Sequence, residues 1–303
     1  MKISVIGLGY IGLPTAALIA SNSIKVIGVD HNQDIVNTIN QGKIHILEPE
    51  LEQLIDDVVK NGLLEAKLEP ECSDVFIIAV PTPVNDNNNP DLSFIKAAVE
   101  QITPLLKINN ILILESTAPV GTTEIVLEWI KKIRPDLNLP IFGKKNYNSD
   151  IFVAYCPERV LPGQVIKELV TNDRIVGGLT NKCAKKAQAI YNLFTNGNCY
   201  LTDCRTAEMC KLIENSYRDV NIAFANELSL ICDKLDINVW ELIDLANCHP
   251  RVNILKPGPG VGGHCIAVDP WFIVSSSPDE AKLIHKARIV NNGMPKFVIE
   301  KIN

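Results

Sequence analysis

The chain has 303 residues, of which 47% are hydrophobic, enough for one large or two modest domains with real cores. Its 29 basic and 35 acidic residues give a formal charge of −6 without a long run of one sign, which argues against nucleic acid as a partner. Nine cysteines without a Cys-x-x-Cys pair or clustered histidines fit neither a disulfide framework nor a structural zinc site, so we predict no metal site and a reducing, cytoplasmic location.

The first 24 residues could be mistaken for a signal peptide or a membrane span, because the run from Ile3 to Ile24 carries no charge. Gly7, Gly9 and Gly12 interrupt this run at fixed offsets. A strand, a tight turn and a buried first helix explain the same apolar residues without a bilayer. We therefore expect a soluble protein with no membrane partner.

The same glycines form a G-x-G-x-x-G motif between a predicted strand and a predicted helix. In this context bare backbone approaches a pyrophosphate, and the helix N-terminus stabilises its charge. The second predicted strand ends in Asp30, where a carboxylate hydrogen-bonds an adenosine ribose and repels a 2′-phosphate. The motif predicts NAD as the cofactor, in preference to NADP. Three glycines in ordinary turns are the alternative.

Further apolar runs at residues 75–80, 111–116 and 151–157, and one near Ile175, alternate with segments long enough for crossover helices. This rhythm predicts an α/β fold with a Rossmann-like, doubly wound parallel sheet, and we assign residues 1–200 to an NAD-binding domain. Thr82, Thr117, Glu158 and Arg159 follow predicted strands, at the edge that lines a cofactor crevice. Routine turn chemistry is the alternative for each of them alone.

Residues 201–303 are predicted to form a helical domain that begins with one long central helix. Lys211, Asn215 and Arg218 fall within roughly 60° of one another on this helix. Buried charge without a partner is costly, so a substrate site is one reading of the stripe. The other is a solvated edge with Glu208 and Glu214 as partners.

The segment from Pro257 to Cys265 places a cysteine at the end of a glycine-rich turn, with His264 before it and Asp269 shortly after it. Backbone N–H groups there can face a developing oxyanion, so we predict that Cys265 is a nucleophile. The alternative for any cysteine is a small buried filler. We expect that role for Cys72, Cys183, Cys199, Cys204, Cys210, Cys232 and Cys248.

Five phrases together resemble the UDP-glucose/GDP-mannose dehydrogenase family: GLGYIGLPTA, PERVLPG, TAEMCKLIENSYRDVNIAFANEL, HPRVN and GPGVGGHCIAVDPWF. The resemblance implies a four-electron oxidation of the C6 alcohol of a nucleotide sugar with NAD, during polysaccharide precursor synthesis. Pro162 and His264 favour the branch that uses UDP-N-acetyl-D-mannosamine. A UDP-glucose 6-dehydrogenase, or an inactive NAD-binding fragment, are the alternatives.

The resemblance also implies a role for individual residues. Cys265 would form a thiohemiacetal and then a thioester, Lys211 would act as acid/base or oxyanion partner beside Asn215, and Asp269 and Thr117 would place the water. We add Glu158 to the catalytic candidates for its position. The implied NAD contacts are Tyr10, Ile11, Asp30, Thr82 and Thr117, with Gly7, Gly9 and Gly12 in the turn. The implied UDP-sugar contacts are Arg159, Val160, Lys211, Asn215, Arg218, His249, Arg251 and Gly263.

Family members continue into a C-terminal UDP-binding domain, which we expect this chain to lack. The helix from Thr206 to Leu235 is apolar on more faces than one chain is expected to cover, and the resemblance implies that it forms a subunit interface. We therefore predict a homodimer.

Overall fold

The computed structural model describes residues 1–144 and 147–302. Within these residues eight strands form one sheet: β1 (Lys2–Ile6), β2 (Lys25–Val29), β3 (Leu64–Lys67), β4 (Val75–Ile78), β5 (Ile111–Leu114), β6 (Phe152–Tyr155), β7 (Arg174–Gly178) and β8 (Cys199–Asp203).

Helices separate most of these strands along the chain. The helices of the same described residues are α1 (Gly12–Ser21), α2 (Gln33–Asn40), α3 (Leu51–Lys60), α4 (Ser93–Ile102), α5 (Thr122–Ile133), α6 (Val165–Thr171), α7 (Asn181–Tyr191), α8 (Cys204–Leu235), α9 (Val239–Ala246), α10 (Asp269–Ser276) and α11 (Lys282–Ile302), with a short 3₁₀ helix at Thr103–Leu105.

The strand order is β3-β2-β1-β4-β5-β6-β7-β8, and β1 to β6 are parallel. The chain winds outward from β1 to β3, returns to β4 beside β1, and then winds the other way. Ligands of open α/β sheets bind at such a reversal, outside the carboxyl ends of the strands. The predicted Rossmann-like, doubly wound α/β fold is confirmed.

The sheet differs from the sequence prediction in two details. β7 runs antiparallel to β6, with Ala154 opposite Gly178, whereas we expected it to be parallel. An apolar run shows that a strand is buried but carries no information about its direction. The edge strands β3 and β8 were not predicted, because their sequences LEAK and CYLTD mix apolar with polar residues and lack an apolar run along the whole strand.

The core lies on both faces of the central strands. Every residue of β4, β5 and β6 is buried, as a parallel sheet covered by helices on both sides requires. α1 is buried from Gly12 to Ala20, which accounts for the uncharged first segment of the sequence. Within the described part of the chain, no helix combines the length and the apolar character needed to cross a membrane.

The chain divides into two compact units. The first comprises residues 1–82 and 91–211, and it contains the whole sheet. The second comprises residues 83–90 and 212–303, with its own small apolar cluster around Leu212, Phe272 and Ile273. The short segment 83–90 is closed by a bridge between Val84 and Pro90.

Candidate active site

The glycine turn after β1 leaves no room for side chains at two of its three glycines. Gly7 has φ +92° and donates its N–H to the Val29 carbonyl at 2.8 Å. A Cβ at Gly12 would lie 1.8 Å from the Gly7 carbonyl oxygen. Nothing lies within 4 Å of the position of a Cβ at Gly9, so the middle of the turn presents bare backbone to open space. This turn opens directly into the N-terminus of α1, which fits a pyrophosphate.

Asp30 follows β2, and both of its carboxylate oxygens accept backbone N–H bonds. Oδ2 accepts from Leu8 and Oδ1 from Asn32, each at 3.0 Å. Asp30 therefore ties the glycine turn to the start of α2. A carboxylate oxygen has two lone pairs, so each keeps capacity for a ribose hydroxyl. Tyr10 is exposed within the turn and Ile11 is the N-cap residue of α1.

Thr82 and Thr117 follow β4 and β5, whose carboxyl ends lie on the same edge as the glycine turn. The Thr82 hydroxyl is buried and has no hydrogen-bond partner in the described part of the chain. Buried hydroxyls are almost always paired, so a bound group that supplies the partner fits here. Thr117 is half-buried. Together with the glycine turn and Asp30, these residues fit NAD.

Glu158 follows β6 and forms a buried ion pair with Arg174 of β7. Glu158 Oε2 accepts from Arg174 Nη1 at 2.9 Å, and the two side chains are only 7% and 4% exposed. Glu158 Oε1 accepts the Arg159 backbone N–H at 2.6 Å. Both carboxylate oxygens of this catalytic candidate are therefore engaged inside the first unit.

Lys211, near the end of the first unit, contacts Glu158 through the main chain. The Lys211 ammonium donates to the Glu158 backbone carbonyl at 2.7 Å. The Arg159 guanidinium donates to the Asp173 carbonyl, and Val160 is half-buried. The sheet edge thus brings the lysine to the loop that carries the predicted UDP-sugar contacts.

A second buried carboxylate, that of Glu115, directly follows β5 at the carboxyl edge of the sheet. Glu115 is buried, with 4% of its surface exposed, and its Oε1 accepts from the Tyr191 hydroxyl at 2.7 Å. Burial, together with the nearby negative charge of Glu158, raises the pKa of Glu115 to about 7, against the opposing effect of Arg174. Burial also raises the pKa of the Cys156 thiol to about 12, so this cysteine stays protonated and is a poor nucleophile.

Two buried glutamates anchor the loops of the first unit, and sequence reasoning missed both roles. Glu208 accepts the backbone N–H groups of Gly121 and Thr123, at 2.6 and 2.8 Å, and also the Thr123 hydroxyl. The alternative that treated Glu208 as part of a solvated edge is wrong, because this side chain is completely buried. Burial raises the pKa of Glu208.

The other anchor is Glu48, whose carboxylate accepts the N–H groups of Gly163 and Val165 at 2.8 and 2.7 Å. The two contacts span 115 and 117 positions along the chain. They hold the loop that follows Arg159 and Val160. No local pattern in the sequence signals a partner so distant.

In the second unit, Cys265 is exposed at the end of the glycine-rich loop. Its carbonyl oxygen accepts the N–H groups of Val268 and Asp269, at 3.0 and 2.8 Å, where α10 begins. The Asp269 side chain is buried, and its Oδ2 accepts from Asn215 Nδ2 of α8 at 2.6 Å. Hydrogen bonds therefore connect the main chain of Cys265 to that of Asp269, and the Asp269 side chain to Asn215.

The other candidates of the second unit lie at the surface. Arg218 is exposed on α8, and His249, Arg251 and Gly263 are exposed in the segment after α9. The Arg251 backbone N–H donates to His249 Nδ1 at 3.3 Å. Gly263 has φ +85°, a conformation that favours glycine at this point of the loop.

The cysteines fall into three classes of exposure. The expectation of buried fillers is wrong for Cys72 and Cys248, which are exposed, and Cys199 and Cys210 are only partly buried. Both exposed residues lie in irregular segments that an apolar pattern does not describe. The expectation holds for the buried thiols, Cys183, Cys204 and Cys232.

Comparison with known proteins identifies both units. The UDP-glucose/GDP-mannose dehydrogenase family's NAD binding domain matches residues 1–195, and its central domain matches residues 205–293. A UDP-N-acetyl-D-mannosamine dehydrogenase of Campylobacter jejuni is 62% identical over 302 residues, 99% of this chain and 74% of the relative. An NDP-N-acetyl-D-galactosaminuronic acid dehydrogenase of Ralstonia nicotianae is 60% identical over 300 residues, 99% of this chain and 70% of the relative.

Among solved structures, a UDP-D-ManNAc dehydrogenase from Pyrococcus horikoshii superposes with a TM-score of 0.90 at 42% identity, covering 99% of this chain and 70% of that chain. The fold and the cofactor edge define a nucleotide-sugar dehydrogenase that uses NAD. The chain belongs to the UDP-glucose/GDP-mannose dehydrogenase family.

Proposed function

We propose that this chain oxidises the C6 primary alcohol of UDP-N-acetyl-D-mannosamine to a carboxylate, in the synthesis of a polysaccharide precursor. The observation that carries the proposal is the exposed Cys265, whose carbonyl is held at the start of α10 beside the bonded pair Asn215 and Asp269. The name of the 62% identical Campylobacter relative supports the choice of sugar.

The first oxidation needs a group that stabilises negative charge on the reacting oxygen. Bound NAD supplies the hydride acceptor, and Gly9, Asp30 and Thr82 are the residues that fit it. We assign Lys211 to the developing oxyanion, because its ammonium is oriented by the Glu158 carbonyl and keeps two further N–H donors. Such charge stabilisation acts where charge develops, so it lowers the barrier more than it tightens ground-state binding.

The second oxidation uses the sulfur of Cys265. The thiolate adds to the aldehyde carbon, forming a C–S bond and, once the oxygen gains a proton, a thiohemiacetal. Loss of that proton, and of the C6 hydride to a second NAD, would leave a thioester. Water then adds to the thioester carbon and the C–S bond breaks, which regenerates the Cys265 thiolate and releases the carboxylate and two protons. Asp269 and Thr117 are assigned to placing this water, and Asp269 is itself oriented by Asn215.

The proposed UDP-sugar contacts come from three segments of the chain. Arg159 and Val160 come from the loop after β6 and Arg218 from α8, with His249, Arg251 and Gly263 from the segment after α9. Guanidinium groups suit a diphosphate because they present several donors in one plane. The proposal places the reaction in the cytoplasm.

The proposal is tested by the number of NADH molecules formed per UDP-N-acetylmannosamine. Two NADH per sugar and a carboxylate product are expected from the wild type, and no carboxylate from Cys265→Ser. The matched control is Cys248→Ser, an exposed cysteine outside the proposed machinery. One NADH per sugar in the wild type, or carboxylate formation by Cys265→Ser at the wild-type rate, contradicts the thioester route.

A second candidate substrate is the N-acetylgalactosamine sugar, which is favoured by the name of the 60% identical Ralstonia relative. Both candidates share the 2-acetamido group, which a UDP-glucose 6-dehydrogenase does not require. Parallel assays with the UDP derivatives of N-acetylmannosamine, N-acetylgalactosamine and glucose separate the three, because a site built for an acetamido group leaves polar groups unpaired without it. NAD binding without any response to these sugars would indicate an inactive NAD-binding fragment.

We also propose that the protein is a homodimer through α8. One face of this helix exposes large apolar side chains, and Tyr217 alone is 70% exposed. The face consists of Ile213, Tyr217, Phe224, Ile231 and Leu235. Contiguous apolar surface of this kind marks interfaces in soluble proteins. Light scattering at micromolar concentration is expected to give twice the mass of one chain; a monomer there, or an unchanged dimer in Phe224→Asp, contradicts the assignment.

A further inference from the structure

The face of α8 that carries Asn215 continues with polar side chains toward the C-terminal end of the helix. Asn215, Asp219 and Asn226 are spaced by four and seven residues, which places them along one face at 3.6 residues per turn. Asp219 and Asn226 are completely buried, although neither belongs to the proposed chemistry. Buried polar side chains need partners, so the bonds that they form show what this face does.

Asp219 is bound by α11. Its Oδ1 accepts from Arg288 Nη1 at 2.6 Å, and the two side chains are 0% and 2% exposed. Asn291 Nδ2 donates to the same Oδ1 at 2.7 Å and to the Asp219 carbonyl at 3.0 Å. A buried ion pair contributes little net stability, because desolvation offsets the attraction, but it can fix the register of two helices.

Asn226 connects this network to the loop that ends in Cys265. Its Nδ2 donates to Asn291 Oδ1 at 2.8 Å, and its Oδ1 accepts the Gly258 backbone N–H at 2.9 Å. Because Asn291 Nδ2 is committed to Asp219, the orientation of the Asn226 amide is determined: its oxygen faces the loop. The same loop lies against α11 at Gly260, where an added Cβ would come within 3.2 Å of Pro295 Cγ.

The far end of the loop is bound to the same helix face. Asn215 holds Asp269, and the Asp269 N–H holds the carbonyl of Cys265. The segment from Gly258 to Asp269 is therefore attached to α8 at both ends, by Asn226 and by Asn215. Its glycines give little stiffness of their own, so the attachments limit where Cys265 can lie.

We propose that Asn226 is a positioning residue for Cys265, acting through the Gly258 N–H at the base of the loop. This inference rests on the proposed function, since it assumes that Cys265 attacks the aldehyde. Positioning of the sulfur matters for the second oxidation only, because the first oxidation forms no bond to it. A misplacement of about 1 Å lowers the rate of an oriented reaction by up to about a hundredfold.

The test measures the two oxidations separately in the full chain, with UDP-N-acetylmannosamine and NAD, and with hydroxylamine to trap free aldehyde. In Asn226→Ala we expect the second oxidation to slow by about tenfold or more and the first by less than threefold, so that trapped aldehyde accumulates and NADH per sugar falls below two. Gly258→Pro removes the N–H donor by another route, although its ring also fixes φ at this position, and it is expected to act in the same way. Gly258→Ala is the matched control: it keeps the N–H, and nothing lies within 4 Å of the added Cβ, so NADH per sugar stays at two.

Two results overturn the inference. One is equal slowing of both oxidations in Asn226→Ala and Gly258→Pro, which indicates a general structural defect. The other is that neither oxidation slows in these variants. Asn291→Ala removes the partner of the Asn226 amide without touching Gly258, and it shows how much a loss of network stability alone affects both rates. Carboxylate formation by Cys265→Ser would instead overturn the proposed function. The two failures are therefore distinguishable.

Discussion

The Lys211 ammonium group donates a hydrogen bond to the backbone carbonyl of Glu158, while the Glu158 carboxylate forms an ion pair with Arg174. The lysine that we assign to the oxyanion is thus oriented by the main chain of a residue whose carboxylate is fixed by a buried ion pair. Glu158 contacts Lys211 directly through its carbonyl oxygen. Arg174 acts on Lys211 only indirectly, by holding the Glu158 side chain. The charge that we propose acts on substrate, that of Lys211, is thus distinct from the two charges of the buried Glu158–Arg174 ion pair.

Lys211→Met is expected to lower kcat by about 10²- to 10⁴-fold, because it removes the charge assigned to the developing oxyanion. NAD affinity should change little, since the lysine is not part of the glycine turn. Steady-state kinetics with the UDP-sugar and calorimetry with NAD measure the two effects. Lys234→Met, an exposed position on the same helix, is the control. A kcat of Lys211→Met within threefold of wild type contradicts the role.

Arg174→Met is expected to lower the free energy of unfolding by about 3–5 kcal/mol, because it leaves the buried Glu158 carboxylate unpaired. Arg205→Met removes an ion pair with Glu124, but Arg205 is 53% exposed, so a much smaller loss is expected than for Arg174→Met. Urea unfolding gives both values. The double variant Arg174→Met/Glu158→Gln should recover part of the loss, and equal losses in the two single variants would refute the argument.

The stability of the protein should depend on pH through Glu115. Its pKa is about 7 in the folded protein against 4.5 for the ordinary group, so the folded state holds this proton more tightly than the unfolded state does. The resulting stabilisation is complete below about pH 4.5 and is lost as the pH rises through about 7, in total on the order of 3 kcal/mol.

Glu115→Gln removes this dependence, while the amide oxygen still accepts from Tyr191. Urea midpoints measured between pH 5 and pH 8 should therefore fall less steeply for the variant than for the wild type. Glu128→Gln, an exposed glutamate of α5, is the control and should follow the wild type. Parallel curves for Glu115→Gln and wild type would show that this carboxyl is not the titrating group.

Asp30→Ala is expected to weaken NAD binding by about tenfold or more. It removes the carboxylate that we propose accepts hydrogen bonds from the ribose hydroxyls, and it leaves the Leu8 and Asn32 N–H groups without their acceptor. Binding of the UDP-sugar should change much less. Calorimetry with each ligand measures the difference, with Asp34→Ala, exposed in the first turn of α2, as the control. Equal loss of both affinities would mean that Asp30 has only a structural role.

Much of the first unit is predictable from local patterns. The glycines at 7, 9 and 12 and the carboxylate at 30 mark a turn between a strand and a helix, and the apolar runs at 75–80, 111–116 and 151–157 contain β4, β5 and β6. Each depends on neighbours within a few residues, where steric and hydrophobic periodicity act. The polar edge strands β3 and β8 escape this reasoning, because pairing with a neighbouring strand, and not their own pattern, makes them strands.

By itself, the sequence determined the class of the fold, the preference for NAD and the residue types available for chemistry, since backbone sterics and apolar periodicity are local properties. Only the tertiary structure decided that Glu208, Glu48 and Arg174 hold loops instead of facing solvent, and that Asn226 reaches the base of the Cys265 loop. The physical reason is that a buried polar group is stable only beside its partner. Those partners lie far along the chain, where no sequence period connects them.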